Sequence, residues 1–131
     1  MHTHYVCGRL SGRGLEITTE LVAEAQLRLR ATPGCPVGEG AYEVVNKDLM
    51  DADLSSFSVI FNFLLPWSVD MLAEKMASAI CDCGARVVSY MWPIDFGAKS
   101  KQIQTTCISE TEHMFLYQRR PGPESGRERA Q

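Results

Sequence analysis

From Phe57 to Leu65 the chain reads FSVIFNFLL, nearly continuous in apolar side chains, and Pro66 then breaks the run. A short, apolar run of this kind predicts a strand buried on both faces, as in parallel sheets. Directly after it, Ser68 can cap a helix in which Val69, Leu72, Ala73, Met76 and Ile80 share one stripe, with Gly84 as its C-terminal stop. Arg86 to Trp92 is again rich in β-formers. Strand, helix, strand in this order implies a sheet layered with helices, because parallel neighbours need a crossover connection.

The flanking segments extend the pattern. Leu15 to Ile17 forms a short strand step, and Thr18 caps a helix over TTELVAEAQLRLRA, in which Val22, Ala25 and Leu29 share a face. Glu20 falls in its first turn and Arg28 and Arg30 in its last, which suits the helix dipole; Pro33 and Gly34 end it. Tyr42 to Val45 is a further strand candidate, followed by the acidic link NKDLMDADLSS. Gln102 to Ile108 and His113 to Gln118 are separated by SETE, which predicts a closing antiparallel hairpin. The fold class expected is therefore α/β: a Rossmann-like, mostly parallel sheet flanked by helices, with a C-terminal antiparallel hairpin. Residues 1–118 are expected to form one domain and 119–131 a disordered tail.

Composition narrows the functional classes. With 131 residues and 45% hydrophobic side chains, one compact core needs no disulfides. Five scattered cysteines suit free thiols in a reducing, intracellular compartment. The N-terminus lacks a signal-peptide run, and Asn62 and Pro66 interrupt the longest apolar stretch, so no membrane span is expected. The net charge is −3, and the tail RRPGPESGRERAQ has four arginines against two glutamates, so residues 1–118 carry −5. An acidic body repels a phosphate backbone, and nucleic acid is not expected as a partner of the folded part unless the tail binds it.

The phrases GLEITTELVAEAQ, VVNKDLMDADLSSFSVIFNFLLPWSVDMLAEKM and GARVVSYMWPI resemble class I S-adenosylmethionine-dependent methyltransferases from their second strand to their last. The Asn62-Phe63 step, and the direct passage from the strand at Arg86 into the hairpin, are similar to the lysine-methyltransferase branch. That resemblance implies S-adenosylmethionine as cofactor and a protein lysine as acceptor. In the family, a strand and glycine loop precede the acidic ribose residue, and only fifteen residues stand before Glu16. The expected sheet is thus N-terminally truncated, and activity of the isolated chain is doubtful.

Glu16 closes a strand before a helix, where a carboxylate can accept both ribose hydroxyls of a nucleoside; a solvated strand-end glutamate is the competing account. The resemblance adds Ile17 beside it, and Asp48 with Leu49 at the place that bonds the adenine amino group. Asn62 is an amide inside a buried apolar run, which costs about 1–3 kcal/mol if unpaired, so it either caps a neighbouring backbone group or faces a ligand. Under the resemblance Asn62, Phe63 and Tyr90 line the methyl-transfer site, with Pro66 and Trp67 shaping its wall and Trp92 and Pro93 an apolar channel. The reaction would be attack by a neutral amine on a sulfonium methyl, so lysine, with an ordinary pKa of ~10.4, must shed a proton and its water.

Other signals carry less. Cys81 and Cys83 lack a second ligand pair at zinc spacing and are expected to be buried thiols at a helix end. His2, His4 and Cys7 lack ligand-orienting partners, and Gly8, Gly12 and Gly14 are not in phosphate-binding order, which disfavours a nicotinamide oxidoreductase. No metal site is expected. The alternative to an enzyme is a catalytically silent methyltransferase-like module that pairs an exposed sheet edge with another chain.

Overall fold

The computed structural model describes residues 11–38 and 41–122. The expectations attached to His2, His4, Cys7, Gly8 and residues 123–131 lie outside the described residues. The chain divides into two compact units, Met1–Asp53 with Phe61–Phe63, and Leu54–Ile60 with Leu64–Gln131.

Unit 1 holds strand β1 (Gly12–Glu16), helix α1 (Thr19–Ala31) and strand β2 (Tyr42–Asn46), followed by a short 3-10 helix at Leu49–Asp51. β1 and β2 pair in parallel, with Gly12 opposite Tyr42 and Glu16 opposite Asn46, so both strands end at one rim. The helix between them is the crossover that parallel pairing demands. Thr18 occupies the N-cap of α1, though its side chain makes no capping bond. The expected stripe is borne out: Val22 and Ala25 are buried with Val44, and Leu29 packs against them. Gln26 Nε2 donates to the Val44 carbonyl at 3.0 Å, tying helix to strand.

Unit 2 contains helix α2 (Pro66–Cys83), strand β4 (Arg86–Tyr90), a 3-10 segment (Gly97–Gln102) and the hairpin of β5 (Ile103–Ser109) and β6 (Met114–Arg119). Strand β3 (Val59–Asn62) starts in this unit, and its last two residues group with unit 1. The strand order is β3-β4-β6-β5, and β6 runs antiparallel to both β4 and β5. The hairpin is as expected, with β6 lying inside the sheet and β5 at its edge.

α2 starts at Pro66, two residues before the expected Ser68 cap, with Leu65 as its N-cap. Proline serves at the first helical position because its missing N–H would be an orphan there and its φ is already helical. Gly84 stops the helix at φ 73°, where its N–H caps the Ala79 and Ile80 carbonyls. The expected stripe of Val69, Leu72, Ala73, Met76 and Ile80 is buried throughout. On β6, Tyr117 is 1% exposed; its hydroxyl accepts from the Ile94 N–H at 2.8 Å and its ring meets Phe96 edge-on at 5.1 Å.

Two expectations are corrected. The run Phe57 to Leu65 contributes only four strand residues, and Val59, Ile60 and Phe61 are half-buried while Phe63 and Leu65 are exposed. Pro66 starts a helix rather than merely ending a strand, so the residues before it turn out of the sheet early. Cys81 is buried, but Cys83 is exposed: it lies at the last helical position, beyond the buried stripe. Cys35, Cys81, Cys83 and Cys107 are free thiols, and no described helix is long and apolar enough to cross a membrane.

Candidate functional site

Parallel pairing sets the site. Because Glu16 stands opposite Asn46, the carboxyl ends of β1 and β2 lie side by side, and Asp48 follows two residues beyond. In an open α/β sheet this is the edge at which ligands bind.

Glu16 is the last residue of β1, and its Oε1 accepts from the Thr18 N–H at 3.1 Å. Burial raises its pKa, opposing hydrogen bonds including that from Thr18 lower it, and the net direction is below the ordinary carboxylate value. The side chain is therefore anionic at neutral pH. Ile17 follows at 64% exposure, an apolar side chain at the same rim. Asp48 N-caps the 3-10 helix Leu49–Asp51, where its Oδ1 accepts from the Met50 N–H at 2.9 Å, and Leu49 is half-buried behind it.

Sequence reasoning passed over Asn46. Its Nδ2 donates to the carbonyls of Glu16 at 3.3 Å and Ile17 at 3.0 Å, and the Lys47 N–H donates to the Glu16 carbonyl at 3.0 Å. These bonds hold the end of β1 to the end of β2 and so fix where the Glu16 carboxylate emerges. An asparagine closing the β-run YEVVN was the available signal, hidden among the acidic residues that follow.

Asn62 ends β3 at 3% exposure and is, with Ser89, one of the two buried polar side chains among the described residues; Phe63 beside it is 51% exposed. Glu16, Ile17, Asp48, Leu49, Asn62 and Phe63 all belong to unit 1. Tyr90, which closes β4 half-buried, belongs to unit 2.

The end of β4 has its own constraint. Met91 takes φ 73°, a left-handed conformation uncommon for a non-glycine residue, and its N–H donates to the His113 carbonyl at 2.7 Å. Ser89, fully buried, donates from its hydroxyl to the Trp92 carbonyl at 2.7 Å. Together they hold the turn that carries Tyr90 and Trp92 out of the sheet.

No protein-family model matches the chain, and no curated protein does. Among solved structures, an RNA methyltransferase from Salinibacter ruber in complex with S-adenosyl-L-homocysteine is similar, with a TM-score of 0.59 and 22% identity. The chain shares the α/β fold of that protein. The likeness covers 83% of this chain and 65% of that protein.

Proposed function

We propose that the chain is the cofactor-sheet portion of an S-adenosylmethionine-dependent methyltransferase, with the partial domain expected over residues 1–118 extended through Arg120, since Arg119 closes β6 and the Arg120 N–H donates to the Gln102 carbonyl, and a tail after it. The observation that carries this reading is the pairing of β1 with β2, which sets the anionic Glu16 and the Asp48 carboxylate at one rim, each followed in sequence by an apolar residue, Ile17 and Leu49. Two carboxylates with apolar neighbours are the acceptor set a nucleoside requires: charge-assisted bonds from ribose hydroxyls and an exocyclic amine, and apolar cover for a base.

The residues present fit the group. Glu16 would hold the ribose hydroxyls and Asp48 the adenine amine, while Ile17 and Leu49 would cover the base. When bound, the cofactor supplies an electrophilic methyl on a sulfonium. Asn62 and Phe63, both in unit 1, are assigned to the acceptor: the Asn62 amide to orient it, and the aromatic side chain to exclude water. Positioning and desolvation then supply most of the rate, and little acid–base machinery is needed beyond an acceptor amine that arrives neutral.

The acceptor class is the finer part of the reading. The Asn62-Phe63 step favours a protein lysine, while the structural neighbour is named for RNA. A thermal-shift titration with S-adenosylhomocysteine tests the cofactor assignment, since a ligand bound only by the native state raises its midpoint. Methyl transfer from labelled cofactor to a lysine-containing protein pool, run beside an RNA pool, tests the acceptor. No midpoint shift at saturating ligand would instead support the silent assembly module.

A further inference from the structure

We infer that the amino-terminal edge of the four-stranded sheet, in unit 2, is a docking surface for the sugar–phosphate backbone of a nucleic acid. Arg86 opens β4, and Val87 stands opposite Tyr117, so Arg86 lies at the β6 end that carries Arg119 and Arg120. Ile103, the first residue of β5, stands opposite Arg119, and the Arg120 N–H donates to the Gln102 carbonyl at 2.8 Å. Lys99 and Lys101 sit on the 3-10 segment just before. Five exposed cations thus converge on one sheet edge across three neighbouring strands, a width of roughly 10 Å at the ~4.8 Å strand spacing.

The opposite charges of unit 2 lie mostly elsewhere. Asp70 and Glu74 are on the first half of α2, and Glu110 and Glu112 are in the hairpin turn at the far end of the sheet. The Asp95 Oδ1 accepts from the Gly97 N–H in its own turn. Among the described residues only Asp82, near the end of α2, falls at the basic edge by its place in the chain. Among the described residues no carboxylate pairs with any of the five cations, whereas in unit 1 Arg13 pairs with Glu43 and Arg28 with Glu24. Arg119 is engaged with the Cys81 carbonyl at the C-terminus of α2, and the Arg120 Nε donates to the Ile103 carbonyl at 3.2 Å, which leaves Arg86, Lys99 and Lys101 as the facing charges.

The chemistry at this edge selects among polyanions. None of the exposed large apolar side chains lies on the segments that carry these cations. A membrane surface needs apolar side chains to insert, and a protein partner needs buried aromatic or aliphatic anchors. A phosphate backbone needs neither: cations displace its condensed counterions, and guanidinium forks match its oxygens. This surface is independent of the cofactor rim and does not rest on the methyltransferase reading.

The test uses the full chain without cofactor. A labelled single-stranded uridine oligonucleotide is titrated by anisotropy at several salt concentrations, beside the triple variant Arg86→Ala, Lys99→Ala, Lys101→Ala, whose native fold is checked by circular dichroism. Removing three contacts should lower the slope of log affinity against log salt by about 2, so that the affinity loss between about 50 and 200 mM salt shrinks by roughly 20-fold. The variant Arg127→Ala, Arg129→Ala should keep the wild-type slope. An unchanged slope in the folded triple variant overturns the inference, as does loss of the slope in the Arg127 and Arg129 variant alone. Tighter binding to phosphatidylcholine–phosphatidylserine vesicles than to the oligonucleotide overturns it as well.

Discussion

Replacing Tyr117 with Phe removes one oxygen and keeps the ring. The ring stays edge-on to Phe96, so that contact and the filled volume persist. What is lost is the acceptor for the Ile94 N–H, in a residue only 8% exposed. A buried donor left without a partner costs about 1–3 kcal/mol. If unit 2 unfolds by itself, each kcal/mol lowers the midpoint by roughly 4–8 °C, which calorimetry resolves readily. Alkaline pH supplies an independent check. Burial raises the pKa of Tyr117 against the opposing bond from Ile94, so the folded state keeps its proton when the unfolded chain has begun to lose it. Stability from this group is therefore whole below about pH 10, the unfolded value, and falls as pH rises from there toward the folded pKa. The gap between wild type and Tyr117→Phe should be constant near neutrality and narrow above that point. A variant that melts with wild type, or a gap that widens with pH, would refute the role given to the hydroxyl.

Three further outcomes are expected. Gly84→Ala should cost about 1–2 kcal/mol in urea melts, from the left-handed φ alone, since a Cβ there meets nothing closer than Arg119 Nη2 at 3.8 Å; Gly84→Asn should cost less. Glu16→Gln should weaken S-adenosylhomocysteine binding roughly tenfold or more by calorimetric titration, with an unchanged circular dichroism spectrum, because a charged acceptor becomes a neutral one. Asn62→Leu should abolish methyl transfer to either acceptor pool; retained activity in a folded Asn62→Leu protein would remove the amide from the site.

The helices were legible because their apolar stripes repeat at helical spacing and their ends carry Thr18 and Gly84, signals that depend on nearby residues alone. The hairpin was legible for the same reason. Strand limits were less so: Phe57 to Leu65 is apolar along its length, and periodicity cannot mark where pairing stops or that Pro66 begins a helix. At the rim, Glu16 could be placed from a strand end and Asp48 only through the resemblance, while Asn46 acts through residues about thirty positions away and leaves no local sign beyond closing a β-run. Net charge is silent on a different point. A total of −3 says nothing of arrangement, and the register of β4, β5 and β6 is what gathers cations from residues 86 to 120 onto one edge.

The strand order has a consequence for how the protein is made. β6 lies between β4 and β5 although it is synthesised after both. Until Met114–Arg119 emerges from the ribosome, β4 has no neighbour on that flank and β5 has nothing in the sheet to join. Unit 2 thus acquires its middle last, and a protease cut in the turn at residues 110–113 would divide the sheet through its interior instead of trimming a border.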